Sequence, residues 1–317
     1  MADPPPHAPL LVAPAPFKGT LRAPEVAAAL ARGIEAGGRA VDVCPIADGG
    51  VGTLEVLLPA LGGSTDAVDV DGRAVGVGVL DGGGTVVVEL ASVLGAAGMA
   101  ESSAAAGELV LAAAATGAQV VLVGAGDVLA RDGGAGAAEV LRAVGEIGAA
   151  IVVLCDVRTA VERVGEALAG TGTIEREEAF ELGARVTALA ATLPKDPRGI
   201  AYGGAGGGIA AAIWATCDAR LVGGAPFVLE ELNTDARMRA AHAVIVGEGR
   251  LDLGTLAGKA PAELATRARQ SGIPSFAVVG DRTLDAFGAR ILDLQAVLEA
   301  NDQAAIERAG VELVRLV

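Results

Sequence analysis

The chain has 317 residues and a formal net charge of -15; 52% of its residues are hydrophobic but only 2% are aromatic. This length fits one large or two modest domains, and the scarcity of aromatics implies a core packed from Ala, Val and Leu. The acidic balance excludes nucleic acid or an anionic membrane surface as partner, since either would need a basic footprint.

The first expected element is a strand over Leu10 to Ala13, followed by a loop with Lys18 at the strand's carboxyl end. Pro24 to Ala36 reads as a helix, with Val26, Leu30 and Ile34 recurring on one face. Val41 to Ile46 is a second buried strand, running into Asp48-Gly49-Gly50-Val51-Gly52 and a helix over 54–61. The glycines beside Asp48 let the backbone turn tightly and come close to a ligand.

From residue 62 the pattern changes to short strands at Val68 to Val70, Val75 to Leu80 and Thr85 to Leu90, read as an antiparallel meander. Next come a helix over 104–116, a strand over 120–123, a helix over 135–144, and a strand over 151–154 ending near Asp156. Glu175 to Leu189 is expected to be helical, and Gly203 to Gly208 opens another helix.

After Pro226 a helical stretch leads to a short apolar strand, Val244 to Val246, and a loop carrying Glu248, Arg250, Asp252 and Lys259. Strands at Ser275 to Val279 and Ile291 to Val297 complete the pattern. The two ends of the chain thus supply five strands alternating with helices, the content of an α/β, flavodoxin-like parallel sheet with a second α/β domain inserted after its second strand. The boundaries implied are 1–61 with 225–317 for the sheet domain and 62–224 for the inserted mixed domain. In a 2-1-3-4-5 strand order the ends at Asp48, Lys18 and Glu248 are neighbours, which places the expected site in the interdomain cleft, at the switch point of the sheet.

Cys44, Cys155 and Cys217 are an odd number in apolar settings and read as thiols of a reducing, cytoplasmic protein, not as a disulfide framework or zinc site. With His7 and His242 as the only histidines, a His-based triad or His-rich metal centre is disfavoured. Met1 to Pro9 is polar and proline-rich and is not read as a signal peptide, and the apolar runs are too short for a membrane span.

Six segments in order, Ala13-Pro-Ala-Pro-Phe-Lys18-Gly-Thr-Leu, Cys44-Pro-Ile-Ala-Asp48-Gly-Gly-Val-Gly-Thr53, Val87-Val-Glu89-Leu-Ala, Asp132-Gly-Gly-Ala-Gly136, Cys155-Asp156-Val and Gly247-Glu-Gly-Arg-Leu-Asp252…Gly258-Lys-Ala-Pro261, resemble the motifs of the type I glycerate kinases. The resemblance implies ATP-dependent phosphorylation of D-glycerate or a similar small hydroxy acid, with Mg²⁺. Phosphoryl transfer is mainly positioning and charge neutralisation, with a carboxylate to accept the hydroxyl proton. On that basis Lys18, Asp48, Asp132, Asp156 and Asp252 are candidate catalytic groups. Gly49, Gly50, Gly133, Gly134, Gly204, Gly207, Glu248, Arg250 and Lys259 are candidate substrate or nucleotide contacts; which acids meet the metal is open.

A Walker P-loop is absent, because Ala260 follows Lys259 where a metal-binding hydroxyl would stand. Nucleotide phosphates would instead need glycine turns at helix N-termini, such as Asp132 to Gly136 or Gly203 to Gly208. The run Gly126-Asp-Val-Leu-Ala-Arg131-Asp132-Gly-Gly134 departs from the family's Gly-Gly-Ser-Ala-Thr-Asn-Asp-Gly-Gly, and acidic Thr171 to Glu181 replaces a lysine-bearing segment. The alternative is therefore a weak or inactive relative that binds a small acid or a protein. A flavin binder is the poorer third choice, for want of aromatics.

Overall fold

A computed structural model describes residues 8–96 and 98–317; His7 and the lead-in before it lie outside the described residues. The strands, in chain order, are β1 (Leu10–Pro14), β2 (Val41–Val43), β3 (Ser64–Val70), β4 (Arg73–Leu80), β5 (Thr85–Glu89) and β6 (Val120–Gly124). They continue with β7 (Ala150–Cys155), β8 (Arg220–Gly223), β9 (Ala243–Leu251), β10 (Ser275–Arg282) and β11 (Leu294–Glu299). The chain divides into two compact units, one running to Ala47 and resuming at Val228–Val317, the other Asp48–Phe227. The sequence boundaries at 61/62 and 224/225 differ from these because the helix Thr53–Leu61 packs on β4 and β5, within the second unit.

The first unit is built on a five-stranded sheet of order β11-β10-β9-β1-β2, and every pairing in it is parallel. Numbered within the sheet this is 2-1-3-4-5, the order expected from the sequence. Side chains alternate between faces along each strand, so Leu10, Val12, Ala243, Ile245, Phe276 and Val278 share one core with helices Ala23–Ala36 and Gln303–Leu316. Those helices meet at glycines: a Cβ on Gly33 would lie 2.0 Å from the Glu307 carbonyl oxygen, and one on Gly310 would lie 2.7 Å from that of Leu30. A helical glycine costs about 1 kcal/mol against alanine, and close backbone approach is what it permits here.

Three expectations change in detail. The strand expected over Ile291 to Val297 is Leu294–Glu299, because Ile291 closes the helix Ala286–Ile291. The strand expected over 41–46 is assigned only to Val43, because Pro45 has no N–H to continue the ladder, although Cys44 N–H still donates to Val12 and Ile46 N–H to Pro14. Arg237 ties down this edge strand, with Nε 3.0 Å from Asp42 Oδ2 and a terminal nitrogen 2.7 Å from the Val43 carbonyl. The strand expected over 244–246 extends through Leu251, since β10 continues beside it and pairs Asp281 with Arg250 and Arg282 with Leu251. Glu248 and Arg250 are therefore strand residues, not loop residues.

The second unit has a six-stranded sheet of order β3-β4-β5-β6-β7-β8. The meander is antiparallel as expected across β3, β4 and β5, and β5 then joins β6, β7 and β8 in parallel. Small aliphatics fill one face against helices Ala104–Ala114, Ala135–Val144 and Ile209–Cys217. On the other face Leu54 and Leu58 of the helix Thr53–Leu61 meet Leu80, Val87, Leu122 and Leu154. The thiols of Cys44, Cys155 and Cys217 are free, the first two buried. Among the described residues no helix is long and apolar enough to cross a membrane.

Candidate functional site

In the first unit, the carboxyl ends of β1 and β9 carry a group of mixed charge. Glu248 faces the same side of the sheet as Val246 and is only 6% exposed. The Thr255 hydroxyl hydrogen-bonds to it, while Oε1 is buried without a hydrogen-bond partner. A cavity of about 10 Å³ adjoins the side chain, walled by Val246, Leu251, Ala277, Val279, Leu292 and Leu294. Burial pushes the Glu248 carboxyl up to about 8, against the opposing charges of Lys259 and Lys18 and with Asp252 adding to the rise. An acid whose charged form is desolvated prefers the proton even beside cations, if burial is deep enough.

Around Glu248 the remaining side chains are held by local turns. Asp252 Oδ1 accepts from the N–H of Gly254 at 2.7 Å and of Thr255 at 3.2 Å, while Asp252 N–H donates to Thr255 Oγ1 at 3.1 Å. Asp252 thus shapes the turn into the helix Ala260–Ser271, whose N-cap is Lys259. Arg250 is exposed and pairs with Asp281 at 3.4 Å. Lys18 is exposed on the loop after β1. The structure therefore brings Lys18, Glu248, Asp252 and Lys259 together, with Arg250 farther along the same strand.

The second unit holds a different group, at the carboxyl ends of β5, β6 and β7. Asp48 is 5% exposed and Asp156 8%. The turn at Gly49 and Gly50 lies against the start of the loop after β6, where Gly126 N–H donates to the Gly49 carbonyl at 3.0 Å. A Cβ on Gly50 would meet Asp127 Oδ2 at 2.2 Å and Asp48 Oδ1 at 3.3 Å, and one on Gly126 would meet Asp156 Cβ at 3.0 Å. The carboxylates of Asp48 and Asp127 therefore flank Gly50, Asp156 stands beside Gly126, and a side chain at either glycine would have to displace its neighbours.

Acidic side chains also occupy the amides that start the helix Thr53–Leu61. Val51 N–H donates to Asp127 Oδ2 at 3.1 Å, and Leu54 N–H to Glu89 Oε1 at 2.8 Å. Glu89 receives further bonds from the N–H groups of Gly52 and Thr53, yet burial keeps its carboxyl above the ordinary range. Asp127 adopts a left-handed backbone, φ 63°. Glu89 stands in one of the six motifs but not among the candidate site residues, and the Thr255 hydroxyl is in neither group. The spacing Asp252-x-x-Thr255, an acceptor three residues before a hydroxyl at a turn, was the available sign of the latter.

The other candidates have structural partners. Asp132 accepts from Ser103 N–H at 2.8 Å, Ser103 Oγ at 3.0 Å, Ser102 Oγ at 3.2 Å, and the N–H groups of Gly134 and Gly136 at 3.0 Å each. Burial works against its charge, but the amides of Ser103, Gly134 and Gly136 outweigh it and hold the carboxyl below the ordinary range. Gly133, Gly134, Gly204 and Gly207 are buried: a Cβ would meet Val186 at Gly133, Ala212 at Gly134, the Thr159 carbonyl at Gly204 and Leu129 at Gly207. Among the described residues no three Asp, Glu, His or Cys side chains gather as a metal cage.

Residues 10–176 and 148–309 match the model of the glycerate kinase family. The chain is 28% identical to the glycerate kinase of Halalkalibacterium halodurans, over 86% of this chain and 85% of that one. It is 29% identical to the glycerate 2-kinase of Escherichia coli (strain K12), over 87% and 86% of the two chains. Among solved structures it is similar to one described as glycerate kinase 2 from Salmonella typhimurium LT2, with a TM-score of 0.70 and 26% identity over 97% of both chains.

Proposed function

Because the chain belongs to the glycerate kinase family, as the match across residues 10–309 shows, we propose that it transfers the terminal phosphoryl group of ATP to a hydroxyl of D-glycerate or a similar small hydroxy acid. That family match is the observation that carries the proposal. Lys18 and Lys259, gathered on one side of the first sheet, supply positive charge for phosphate oxygens or the substrate carboxylate, with Arg250 as a further cation on the same strand as Glu248. Such charge, fixed before the reaction, stabilises the transferring group without reorganisation.

The lack of a three-ligand cage is compatible with Mg²⁺, which is commonly held by one or two carboxylates together with the nucleotide's phosphates. Asp48 and Asp156 are the carboxylates we assign to it. When bound, the ion neutralises phosphate charge. Asp252, whose Oδ1 is engaged in its turn, orients the loop that carries Thr255 and Lys259. We assign Asp132 and the glycines at 133, 134, 204 and 207 to scaffolding, since their backbone and side-chain partners already account for them.

A second reading rests on Asp127. Its carboxylate sits on an amide turn at the start of a helix, the kind of place where an anionic ligand binds. A relative whose own carboxylate fills that turn could bind a small acid elsewhere without catalysing transfer. Purified chain incubated with D-glycerate and Mg-ATP separates the two readings. ADP release above a blank, with an ATP-dependent rise in melting temperature, is expected; a rate equal to the blank and no thermal shift would leave only the binding module.

A further inference from the structure

We propose that Glu248 is a positioning residue for this site: in its ionised form it is a buried counter-charge to Lys18 and Lys259, and in its neutral form it leaves the charge of both lysines to an anionic ligand. The inference rests on the kinase reading in one respect, that these two lysines meet the anionic groups of the ligand. The rest is geometry. Glu248 is the last of an unbroken run of buried residues in β9, Lys18 follows the neighbouring strand β1, and Lys259 caps the helix that packs behind β9. The charges of both lysines act on the carboxyl and oppose the rise that burial causes.

Lys18 comes from the loop after β1, Lys259 from the helix N-cap, and Asp252 and Thr255 from the loop after β9. On the side of β10 and the stretch entering β11, the cavity beside Glu248 is walled by the apolar Ala277, Val279, Leu292 and Leu294. One carboxyl oxygen is held by Thr255, and Oε1 lies buried without a partner. An oxygen so enclosed is poorly placed to touch a substrate. It is well placed to accept a proton without moving.

The consequence is linkage. While Glu248 is ionised, its charge offsets that of one lysine; once a phosphate or carboxylate approaches the lysines, a second negative charge beside Glu248 favours its neutral form. Anion binding and proton uptake are then reciprocal, each strengthening the other by the same factor. The carboxyl's midpoint of about 8 sets the range in which this is seen. Below it the proton is already in place; around it, binding should draw in a fraction of a proton, roughly half at most.

The test is calorimetry of the full chain with inorganic pyrophosphate at pH 8, in two buffers of different ionisation heat. Wild type should take up more protons than Glu248→Gln, in which the only buffer-dependent heat left is that of pyrophosphate's own ionisation. Lys259→Met, which leaves Glu248 intact, should reduce the uptake by at least half and serves if Glu248→Gln does not fold. Proton uptake that is the same in wild type and the variants, or no pyrophosphate binding, would overturn the inference. In parallel, the wild-type KM for the anionic substrates should rise several-fold between pH 7 and pH 9, with the Glu248→Gln KM flat. If wild type turns over glycerate but shows no uptake, the positioning role fails while the kinase reading stands; uptake without turnover would do the reverse.

Discussion

The two units carry carboxylates at corresponding places, beyond the carboxyl ends of parallel strands, and satisfy them in opposite ways. In the first, Glu248 has side-chain cations and a hydroxyl around it and one bare oxygen. In the second, Glu89 and Asp127 take backbone amides at the start of one helix, and Asp132 takes a full set of donors at the start of another. Backbone amides are fixed by the fold and hold a carboxylate in one place permanently. Side-chain cations can exchange one anion for another. The first arrangement suits turnover and the second suits architecture.

The strongest way to break this contrast is to remove a cation from the first unit. Lys18→Ala should lower kcat for glycerate phosphorylation by about 10²- to 10³-fold, the usual loss when one preorganised charge is deleted from a transferring group, with the melting temperature little changed. Steady-state kinetics on the folded variant checks it, and a kcat within a factor of three of wild type would remove Lys18 from the reaction.

Next in size is Asp132→Ala, which should cost about 2–4 kcal/mol of unfolding free energy by stranding the amides at the start of a helix and the Ser103 hydroxyl. Urea denaturation measures it, and kcat per folded molecule should stay near wild type. Intact stability combined with lost turnover would show that Asp132 belongs with the chemistry.

A third contrast depends on pH. The folded Glu248 carboxyl binds its proton more tightly than the unfolded one, its midpoint being raised from 4.5 to about 8. Its contribution to stability is thus complete below the unfolded value and is lost as pH rises through the folded one. Wild type should lose stability relative to Glu248→Gln between about pH 4.5 and pH 8, by at most about 5 kcal/mol. Parallel stability curves for the two proteins across that range would contradict the buried, proton-holding carboxyl.

The smallest effect is expected at Asp127. Asp127→Gly gives up the bond to Val51 N–H but relieves a left-handed aspartate, so stability should change by less than about 1 kcal/mol. If the vacated amide turn accepts a ligand phosphate, KM for ATP should fall several-fold, and an unchanged KM would exclude that turn from nucleotide binding.

Much of the first unit was legible because its signals are local. Apolar strands followed by charged loops give the strand order and bring Lys18, Glu248 and Lys259 into one group. The length of β9 was hidden, since Gly249 and Arg250 lack strand character and the strand is carried on by the pairing of Arg250 and Leu251 with Asp281 and Arg282 on a strand that comes later. In the second unit, the parallel joining of β5 to β6 is set by non-local packing, and β8 is four residues without alternation. The run Gly203 to Gly208 marks the deeper limit. Positive φ at Gly206, Gly207 and Gly208 serves equally a turn that cradles phosphate and one that packs against Leu129 and Val186. Only the neighbours distinguish the two.

The tie from Arg237 to Asp42 and Val43 bears on how the molecule behaves in a crowded solution. β2 ends its sheet, and an outer strand is ordinarily a template on which a foreign strand can add. Here the template is three residues long, one of its carbonyls is already taken by a guanidinium, and a proline follows within two residues. A sheet terminated in this way resists runaway polymerisation at that margin without the need for a covering helix.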